Sequence, residues 1–281
     1  MNKKVVFLDI DGTLCLDDAI TVPQSAINAC IQARKNGHKL YLCTGRSKPE
    51  IFPHILEIGF DGVIGAGGGF CEHDGEMVFH KHVSKDQLKH AVDFFHTHTI
   101  AYYLESNGGL YGAVDCVSTL KKLIYGDLDE EALECAYQKE PHAFIRALKD
   151  GNVVKYPKEV NKICFLGNDK IPFEIIEKEF KDEFEVIHCT VPIFGKNSGE
   201  LAIAGVNKAN AIETLLEHLN VERKNTIAIG DGLNDLEMVT YCNVGIAMGN
   251  AKQCLKDVAV DITARHDEDG IYKAFQKYGL I

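Results

Sequence analysis

Two carboxylates stand two residues apart, directly after an apolar run near the start of the chain. Asp9 and Asp11 follow Val5-Val6-Phe7-Leu8 and precede Gly12-Thr13. Four apolar residues in a row are typical of a strand that is buried on both faces. The end of such a strand is where ligands bind in open α/β sheets. Because buried carboxylates need partners, the pair indicates a metal ligand, a nucleophile, or both. The alternative is a solvated turn, since Asp and Gly are common turn residues.

Three further segments carry polar groups where predicted elements begin or end. Thr44-Gly45-Arg46 follows the strand-like run 39–43, and the segment 230–235, Gly-Asp-Gly-Leu-Asn-Asp, follows the run 226–229. Lys208 stands at the predicted start of an amphipathic helix, whose apolar positions at helical spacing are Ile212, Leu215, Leu216 and Leu219. Together, the carboxylates, the lysine and the glycine-containing turns indicate a site for a phosphate group and a divalent cation.

The carboxylates of this set require a counter-charge if they converge. Like charges ~4 Å apart repel by ~4 kcal/mol at an effective dielectric constant of about 20, and a bound phosphate adds to the repulsion. Oxygen ligands alone point to a hard cation, and Mg²⁺ binds a few carboxylates together with substrate phosphate. The residues concerned are Asp9, Asp11, Asp231 and Asp235.

In this order, the four segments resemble the signature motifs of the haloacid dehalogenase (HAD) superfamily. The long segment between the second and third motifs, and the ending at 267–271, are similar to Cof-type phosphatases with a type IIB cap. One segment departs from that subfamily, which commonly carries an Asn-Gly pair where this chain has Gly65-Ala66-Gly67-Gly68-Gly69. The cluster also lacks the dinucleotide-binding spacing, because Phe70 occupies the third glycine position. We expect close backbone packing there, beneath the inserted domain.

The resemblance implies roles for the acidic residues. Asp9 is the expected nucleophile, which forms an aspartyl-phosphate and so divides hydrolysis into two easier steps. Asp11 is the expected general acid for the leaving alcohol and then the general base for water, and Thr13 is expected to hold Asp11 through its hydroxyl. The implied Mg²⁺ ligands are the carboxylates of Asp9 and Asp231 and the main-chain carbonyl of Asp11. Asp235 is either a further ligand or a residue that orients the ligands.

The remaining motif residues are expected to bind substrate phosphate. Thr44 and Gly45 offer a hydroxyl and backbone N–H groups at a strand end. Lys208 supplies a positive charge that neutralises both the nucleophile and the transferring group. Asn234 is expected to orient phosphate or the loop of Asp231. For Arg46 two roles stay open, because it could clamp substrate or pair with an acid.

Composition limits the partners that this chain can have. Its net charge of −11 argues against nucleic acid or an anionic membrane surface as the main partner. No apolar run reaches ~18 residues, so no membrane span is predicted. The start lacks the apolar stretch of a signal peptide, and none of the ten cysteines forms a C-x-x-C pair. We therefore expect a cytoplasmic protein with reduced thiols. The oligomeric state stays open.

The order of elements predicts the fold. A chain of 281 residues exceeds a typical single domain, so two domains are expected. Strand-like and helical segments alternate at both ends of the chain, which predicts a parallel sheet with helices on both faces. We therefore predict an α/β protein whose Rossmann-like core comprises residues 1–82 and 189–281. An α+β insert with an antiparallel sheet is predicted at 83–188, and the resemblance implies that this insert is a cap domain of type C2.

These observations predict a Mg²⁺-dependent phosphatase that acts on a small phosphorylated metabolite, with a sugar phosphate suggested by the resemblance alone. One alternative is a phosphotransferase or phosphomutase that passes the aspartyl-phosphate to a second alcohol. The other is a binding module on the same fold without catalysis. The intact set of acids and Lys208 argues against the binding module.

Overall fold

The computed structural model describes residues 3–113, 115–150, 157–189 and 191–281. The chain separates into two compact units. The core unit comprises Met1–Arg46, Glu50–His80 and Val206–Ile281. The inserted unit comprises Ser47–Pro49 and Lys81–Gly205.

Strands and helices are numbered in chain order over the described residues. The strands are β1 (Val5–Leu8), β2 (Lys39–Cys43), β3 (Gly62–Gly65), β4 (Phe70–His73), β5 (Glu76–His80), β6 (Ala101–Ser106), β7 (Gly109–Gly112), β8 (Leu148–Asp150), β9 (Val160–Leu166), β10 (Phe184–His188), β11 (Gly199–Ile203), β12 (Thr226–Gly230), β13 (Val244–Ala247) and β14 (Asp261–Ile262). The α-helices are α1 (Gln24–Lys35), α2 (Pro53–Leu56), α3 (Lys85–Thr97), α4 (Cys116–Tyr125), α5 (Glu130–Lys139), α6 (Ala143–Ala147), α7 (Phe173–Phe180), α8 (Lys208–Leu219), α9 (Leu236–Tyr241), α10 (Gln253–Val258) and α11 (Gly270–Lys277).

The sheet of the core unit has eight strands in the order β14-β13-β12-β1-β2-β3-β4-β5. The strands from β14 to β3 are parallel, and β4 and β5 extend the sheet in antiparallel pairing. All four side chains of β1 are buried, in one apolar core with residues of α1 and α8. A strand in the middle of such a sheet is covered on both faces, which explains its continuous apolar sequence. The predicted parallel α/β core is confirmed.

The alternation of strands and helices predicts one helix near 48–58, after β2, and the structure differs from this prediction. The segment forms a 3₁₀ turn at Lys48–Glu50 and the four-residue helix α2. Pro49 and Pro53 are the physical reason. Proline has no N–H to donate to the preceding turn, and its ring disfavours a helical conformation of the residue before it.

Over the residues that the structure describes, the sheet of the inserted unit has six strands in the order β10-β11-β9-β6-β7-β8. All its pairs are antiparallel except β7 with β8. One apolar cluster joins the sheet to α3 and α7, and a second joins it to α4 and α6. The predicted α+β insert with an antiparallel sheet is confirmed. Helices α4 and α6 were not predicted; in α4 only Cys116 and Leu120 are buried, so its helical pattern is short.

The predicted domain boundary at residue 189 differs from the structure, in which strand β11 follows this boundary but lies in the inserted unit. This strand pairs with β10 and β9 and so belongs to the sheet of the inserted unit, whereas the prediction assigned its residues to the core. Its short sequence Gly-Glu-Leu-Ala-Ile has no feature that specifies which sheet it joins. Strand pairing is decided by tertiary packing, which the local pattern does not contain.

Two predictions about composition concern helices and thiols. None of the helices in the described residues is long and apolar enough to cross a membrane. The ten cysteines are free thiols, and seven of them are buried. Burial raises the pKa of the Cys30 thiol to about 12, so this thiol stays protonated and acts as a small apolar side chain.

Candidate active site

The carboxyl ends of three adjacent parallel strands meet at one edge of the core sheet. Asp9 follows β1, Thr44 follows β2, and Asp231 follows β12. Since β1 pairs with β2 on one side and β12 on the other, strand order changes direction at this point. Ligands of open α/β sheets bind at such a position, outside the carboxyl ends of the strands.

Lys208, the first residue of α8, lies between two carboxylates. Its Nζ atom is 2.7 Å from Oδ1 of Asp9 and 2.6 Å from Oδ1 of Asp235. The exposed fraction of Lys208 is 1%, so the ammonium depends on these two partners for compensation. The arrangement holds a positive charge directly beside the carboxylate predicted to attack phosphorus.

Asp235 organises the loop that carries Asp231. Its Oδ2 atom accepts hydrogen bonds from the backbone N–H groups of Asp231 at 2.9 Å and Gly232 at 2.8 Å. Its Oδ1 atom is engaged by Lys208, so both oxygens have protein partners. This geometry favours the orienting role for Asp235 over that of a metal ligand, the two alternatives that the sequence left open.

The start of α8 is fixed by its cap and by the glycine cluster. The side chain of Asn207 accepts a hydrogen bond from the backbone N–H of Asn210 at 2.8 Å, as an N-cap residue does. A Cβ atom on Gly68, whose φ is +108°, would stand 2.3 Å from the carbonyl oxygen of Asn207. Gly68 therefore allows the backbone to approach the helix start, and the cluster at 65–69 has this packing role.

Burial and an excess of negative charge shift the acidity of the site. Burial and the neighbouring Asp235 raise the pKa of Asp9 well above its usual value, although Lys208 acts in the opposite sense. The same two causes raise the pKa of Asp231 to about 6. Burial lowers the pKa of Lys208, but the two adjacent carboxylates outweigh it and keep this side chain charged. The carboxylates thus outnumber the positive charge available from the protein.

The residues present fit a hard divalent cation. Carboxylate oxygens of Asp9 and Asp231 lie within 4.8 Å of each other and of an oxygen of Asp235, whose own protein partners leave it the orienting role. Oxygen ligands and a surplus of negative charge are what Mg²⁺ prefers. The side chain of Asp11 is outside this group, which agrees with the expectation that only its main-chain carbonyl is a ligand.

Asp11 is held by Arg46. The guanidinium contacts both carboxylate oxygens, with Nη2 at 2.6 Å from Oδ1 and Nε at 3.0 Å from Oδ2. Arg46 also donates to the main-chain carbonyls of Ala19 at 2.6 Å and Glu50 at 2.9 Å, which fixes the guanidinium plane. Of the two roles left open for Arg46, the structure therefore has the pairing with an acid. The two-pronged contact orients the Asp11 carboxylate.

The expected contact of Thr13 with Asp11 is wrong. The Thr13 hydroxyl donates to Oδ1 of Asp231 at 2.9 Å. Gly12, with φ +70°, brings the turn so close to Asp231 that a Cβ atom would lie 2.4 Å from Oδ2. The turn after β1 therefore curls against the loop after β12, and the hydroxyl reaches the acid on that loop.

The hydrogen bonds of Thr44 limit which of its groups can bind a phosphate. The backbone N–H of Thr44 donates to the carbonyl of Ile64 at 2.9 Å, so only its hydroxyl is left as a donor. That hydroxyl accepts from the N–H of Arg46 at 3.1 Å. The amide of Asn234 lies beside Gly45, 3.4 Å from the position that a Cβ atom would take. Gly45 and Asn234 thus come from different loops to one place.

One contact of the turn after β1 falls on a residue that the motifs did not include. Asn250 follows β13 and donates from Nδ2 to the carbonyl of Gly12 at 2.7 Å. Its signal in the sequence is its place, since it lies three residues beyond the end of β13, as Asn234 lies shortly beyond the end of β12.

Comparison with known proteins gives a match over most of the chain. Residues 6–275 match the family model of haloacid dehalogenase-like hydrolases. The phosphatase YwpJ of Bacillus subtilis is 26% identical over 287 residues, which cover 95% of this chain and 97% of YwpJ. From the same organism, the 5-amino-6-(5-phospho-D-ribitylamino)uracil phosphatase YitU is 22% identical over 289 residues, covering 98% of this chain and 97% of YitU.

A solved structure extends this similarity to the fold. The HAD subclass IIB sugar phosphatase BT4131 superposes with a TM-score of 0.73 at 24% identity. The alignment covers 99% of this chain and 100% of BT4131. At 24% identity, this similarity shows a shared fold and nothing beyond the fold.

Proposed function

Because this chain belongs to the haloacid dehalogenase-like hydrolases, we propose that it hydrolyses a phosphate monoester of a small metabolite through a covalent intermediate on Asp9. The observation that carries the proposal is the contact of Asp9 with buried Lys208, 2.7 Å apart, at a strand end where Asp231 also lies. A buried carboxylate beside a fixed positive charge suits attack on phosphorus, because developing negative charge is compensated without rearrangement.

The reaction has two steps. An oxygen of Asp9 forms a bond to phosphorus while the bond from phosphorus to the ester oxygen breaks, and Asp11 gives a proton to that oxygen. Asp11 then takes a proton from water, whose oxygen bonds to phosphorus as the bond to Asp9 breaks. Phosphate and free Asp9 result. Arg46 orients the ionised carboxylate of Asp11, which is the form that takes a proton from water in the second step.

Other residues bind the phosphoryl group and the ion. The hydroxyl of Thr44, the Gly45 backbone, the Lys208 ammonium and the Asn234 amide are the proposed contacts of the phosphoryl oxygens. Asp9, Asp231 and the main-chain carbonyl of Asp11 would hold Mg²⁺, with Asp235 orienting the loop. When bound, Mg²⁺ supplies positive charge that stabilises negative charge on the phosphoryl oxygens.

The proposed substrate is a small phosphorylated metabolite, and a sugar or polyol phosphate is the proposed class. The support comes from relatives, since one is named for a phosphoribityl compound and another as a sugar phosphatase. The alignments cover 97% of the phosphoribityl-compound phosphatase and 100% of the sugar phosphatase, so each comparison extends over nearly the full length of the relative.

Phosphate release from 4-nitrophenyl phosphate and from a panel of sugar phosphates tests the proposal. The expected result is release that requires Mg²⁺, stops with chelator and is lost in Asp9→Asn. The control is Asp18→Asn, an acid on an exposed turn of the same unit whose carboxylate contacts Ile20 and Thr21. Full activity in Asp9→Asn contradicts the proposed nucleophile. Release that appears only with an added acceptor alcohol indicates a phosphotransferase instead.

A further inference from the structure

We propose that Asn250 is a positioning residue that holds the catalytic turn, and with it Asp11, in place. The inference rests on the proposed function, because it concerns the orientation of the proposed general acid. Asn250 touches neither the acids nor Lys208 in any described hydrogen bond; it acts through the backbone of Gly12.

The first observation is the pair of bonds that the Asn250 amide makes. Its Nδ2 atom donates to the carbonyl of Gly12 at 2.7 Å, and its Oδ1 atom accepts from the backbone N–H of His266 at 3.1 Å. A carbonyl can only accept and a backbone N–H can only donate, so the orientation of the amide is fixed. A side chain that carries both a donor and an acceptor is required to link the two segments.

The second observation is the position of Gly12 in the turn. Asp11 has an extended backbone with ψ 122°, and Gly12 has φ +70°, so the chain reverses its local course between them. A backbone bond from the N–H of Cys15 to the carbonyl of Ile10, at 2.8 Å, closes the turn. The Asn250 bond holds the peptide unit between Gly12 and Thr13, which lies inside that closure and one residue beyond Asp11.

The third observation is that the Asn250 loop is itself anchored. The N–H of Lys252 donates to the carbonyl of Asp231 at 3.1 Å, and the N–H of Gly249 donates to the carbonyl of Ala264 at 3.0 Å. The buried ring of His266 makes a second link, with Nε2 at 2.9 Å from Oδ1 of Asp17. The loop at 249–252 therefore links the turn that carries Asp11 to the loop that carries Asp231. His266, to which this loop is bonded, adds a contact with Asp17.

A positioning role predicts a loss that depends on the leaving group. The nitrophenolate of 4-nitrophenyl phosphate departs without a proton, whereas the alkoxide of glycerol 2-phosphate requires one from the general acid. If Asn250 orients Asp11, kcat/KM of Asn250→Ala falls about a hundredfold for glycerol 2-phosphate and only severalfold for 4-nitrophenyl phosphate. A general loss of folded protein lowers both values equally.

The test combines these rates with amide hydrogen exchange, which needs no activity. In Asn250→Ala, exchange is expected to quicken in a peptide spanning residues 10–21 and to stay unchanged over β1. Asn250→Asp is the second variant, because it keeps size and the acceptor for His266 but loses the donor to Gly12. It is expected to behave like Asn250→Ala. Asn28→Ala, at an exposed position of α1 that contacts Gln24, is the control and is expected to match the wild type.

Each result decides the inference. Unequal losses with faster exchange at the turn support it. Equal losses for the two esters, unchanged exchange at the turn, or wild-type behaviour of Asn250→Asp overturn it. If the wild-type protein releases phosphate from neither ester, the proposed function fails, and exchange at the turn alone decides whether Asn250 holds it.

Discussion

Replacing Lys208 with methionine tests the electrostatic core of the site. Lys208 is fully buried between Asp9 at 2.7 Å and Asp235 at 2.6 Å. At these separations each attraction is worth about 6 kcal/mol at an effective dielectric constant of about 20. The cost of burying the three charges offsets most of this gain, so the net loss on removing one partner is about 3 to 5 kcal/mol of unfolding free energy.

The assay is chemical unfolding followed by circular dichroism and fitted for the two units. The matched control is Lys224→Met, which makes the same change in an exposed ion pair with Glu222. That pair is worth less than about 1 kcal/mol. Because Asp235→Asn removes a carboxylate that Lys208→Met leaves uncompensated, the double variant is expected to lose about 2 kcal/mol less than the two single losses together.

Two results refute this reasoning. One is a loss in Lys208→Met as small as that in Lys224→Met, which means that the buried ammonium is not needed to compensate the carboxylates. The other is strict additivity in the double variant, which means that Lys208 and Asp235 contribute independently in spite of their contact.

Three further predictions follow from the same geometry. Gly68→Ala places a Cβ atom against Asn207 and is expected to lower the unfolding free energy by more than about 2 kcal/mol. The control Gly67→Ala, with open space around it, is expected to lower it by about 1 kcal/mol. Equal losses in chemical unfolding contradict this prediction. Mg²⁺ at about 100 times its Kd stabilises by about 2.7 kcal/mol, so calorimetry is expected to show a Tm several degrees higher; Asp231→Asn removes most of the rise, and a full rise in that variant rules out Asp231 as a ligand. Arg46→Lys keeps the charge but loses the two-pronged contact with Asp11, so kcat is expected to fall about 10- to 100-fold with little change in KM; an unchanged kcat in steady-state assays contradicts the orienting role.

The fold of the core could be predicted from the sequence because its buried strands have a recognisable local pattern. A buried parallel strand such as β1 reads as an unbroken apolar run, and polar residues at its end mark the edge where ligands bind. The same logic led to Asp9, Thr44 and Asp231, which the structure brings to one edge. Their catalytic and binding roles stay predictions.

Other features depend on tertiary contacts that local patterns do not contain. Thr13 was assigned to the nearer acid in sequence, but the tight turn at Gly12 directs it to Asp231. The partner of Arg46 was left open by the sequence, and the residues of β11 were assigned to the core although this strand pairs within the sheet of the inserted unit. Asn250 escaped prediction because its contact joins two loops 238 residues apart.

The most direct test of the central claim is to trap the phosphoryl group on Asp9. Asp11→Asn lacks the proposed base for the second step, so rapid quenching after mixing with 4-nitrophenyl phosphate and Mg²⁺ is expected to catch the intermediate. Mass spectrometry is then expected to find one added phosphoryl group on the peptide that contains residue 9, and none in the Asp9→Asn, Asp11→Asn double variant. A phosphoryl group on another residue, or rapid phosphate release by wild type with no covalent species in Asp11→Asn, contradicts the account.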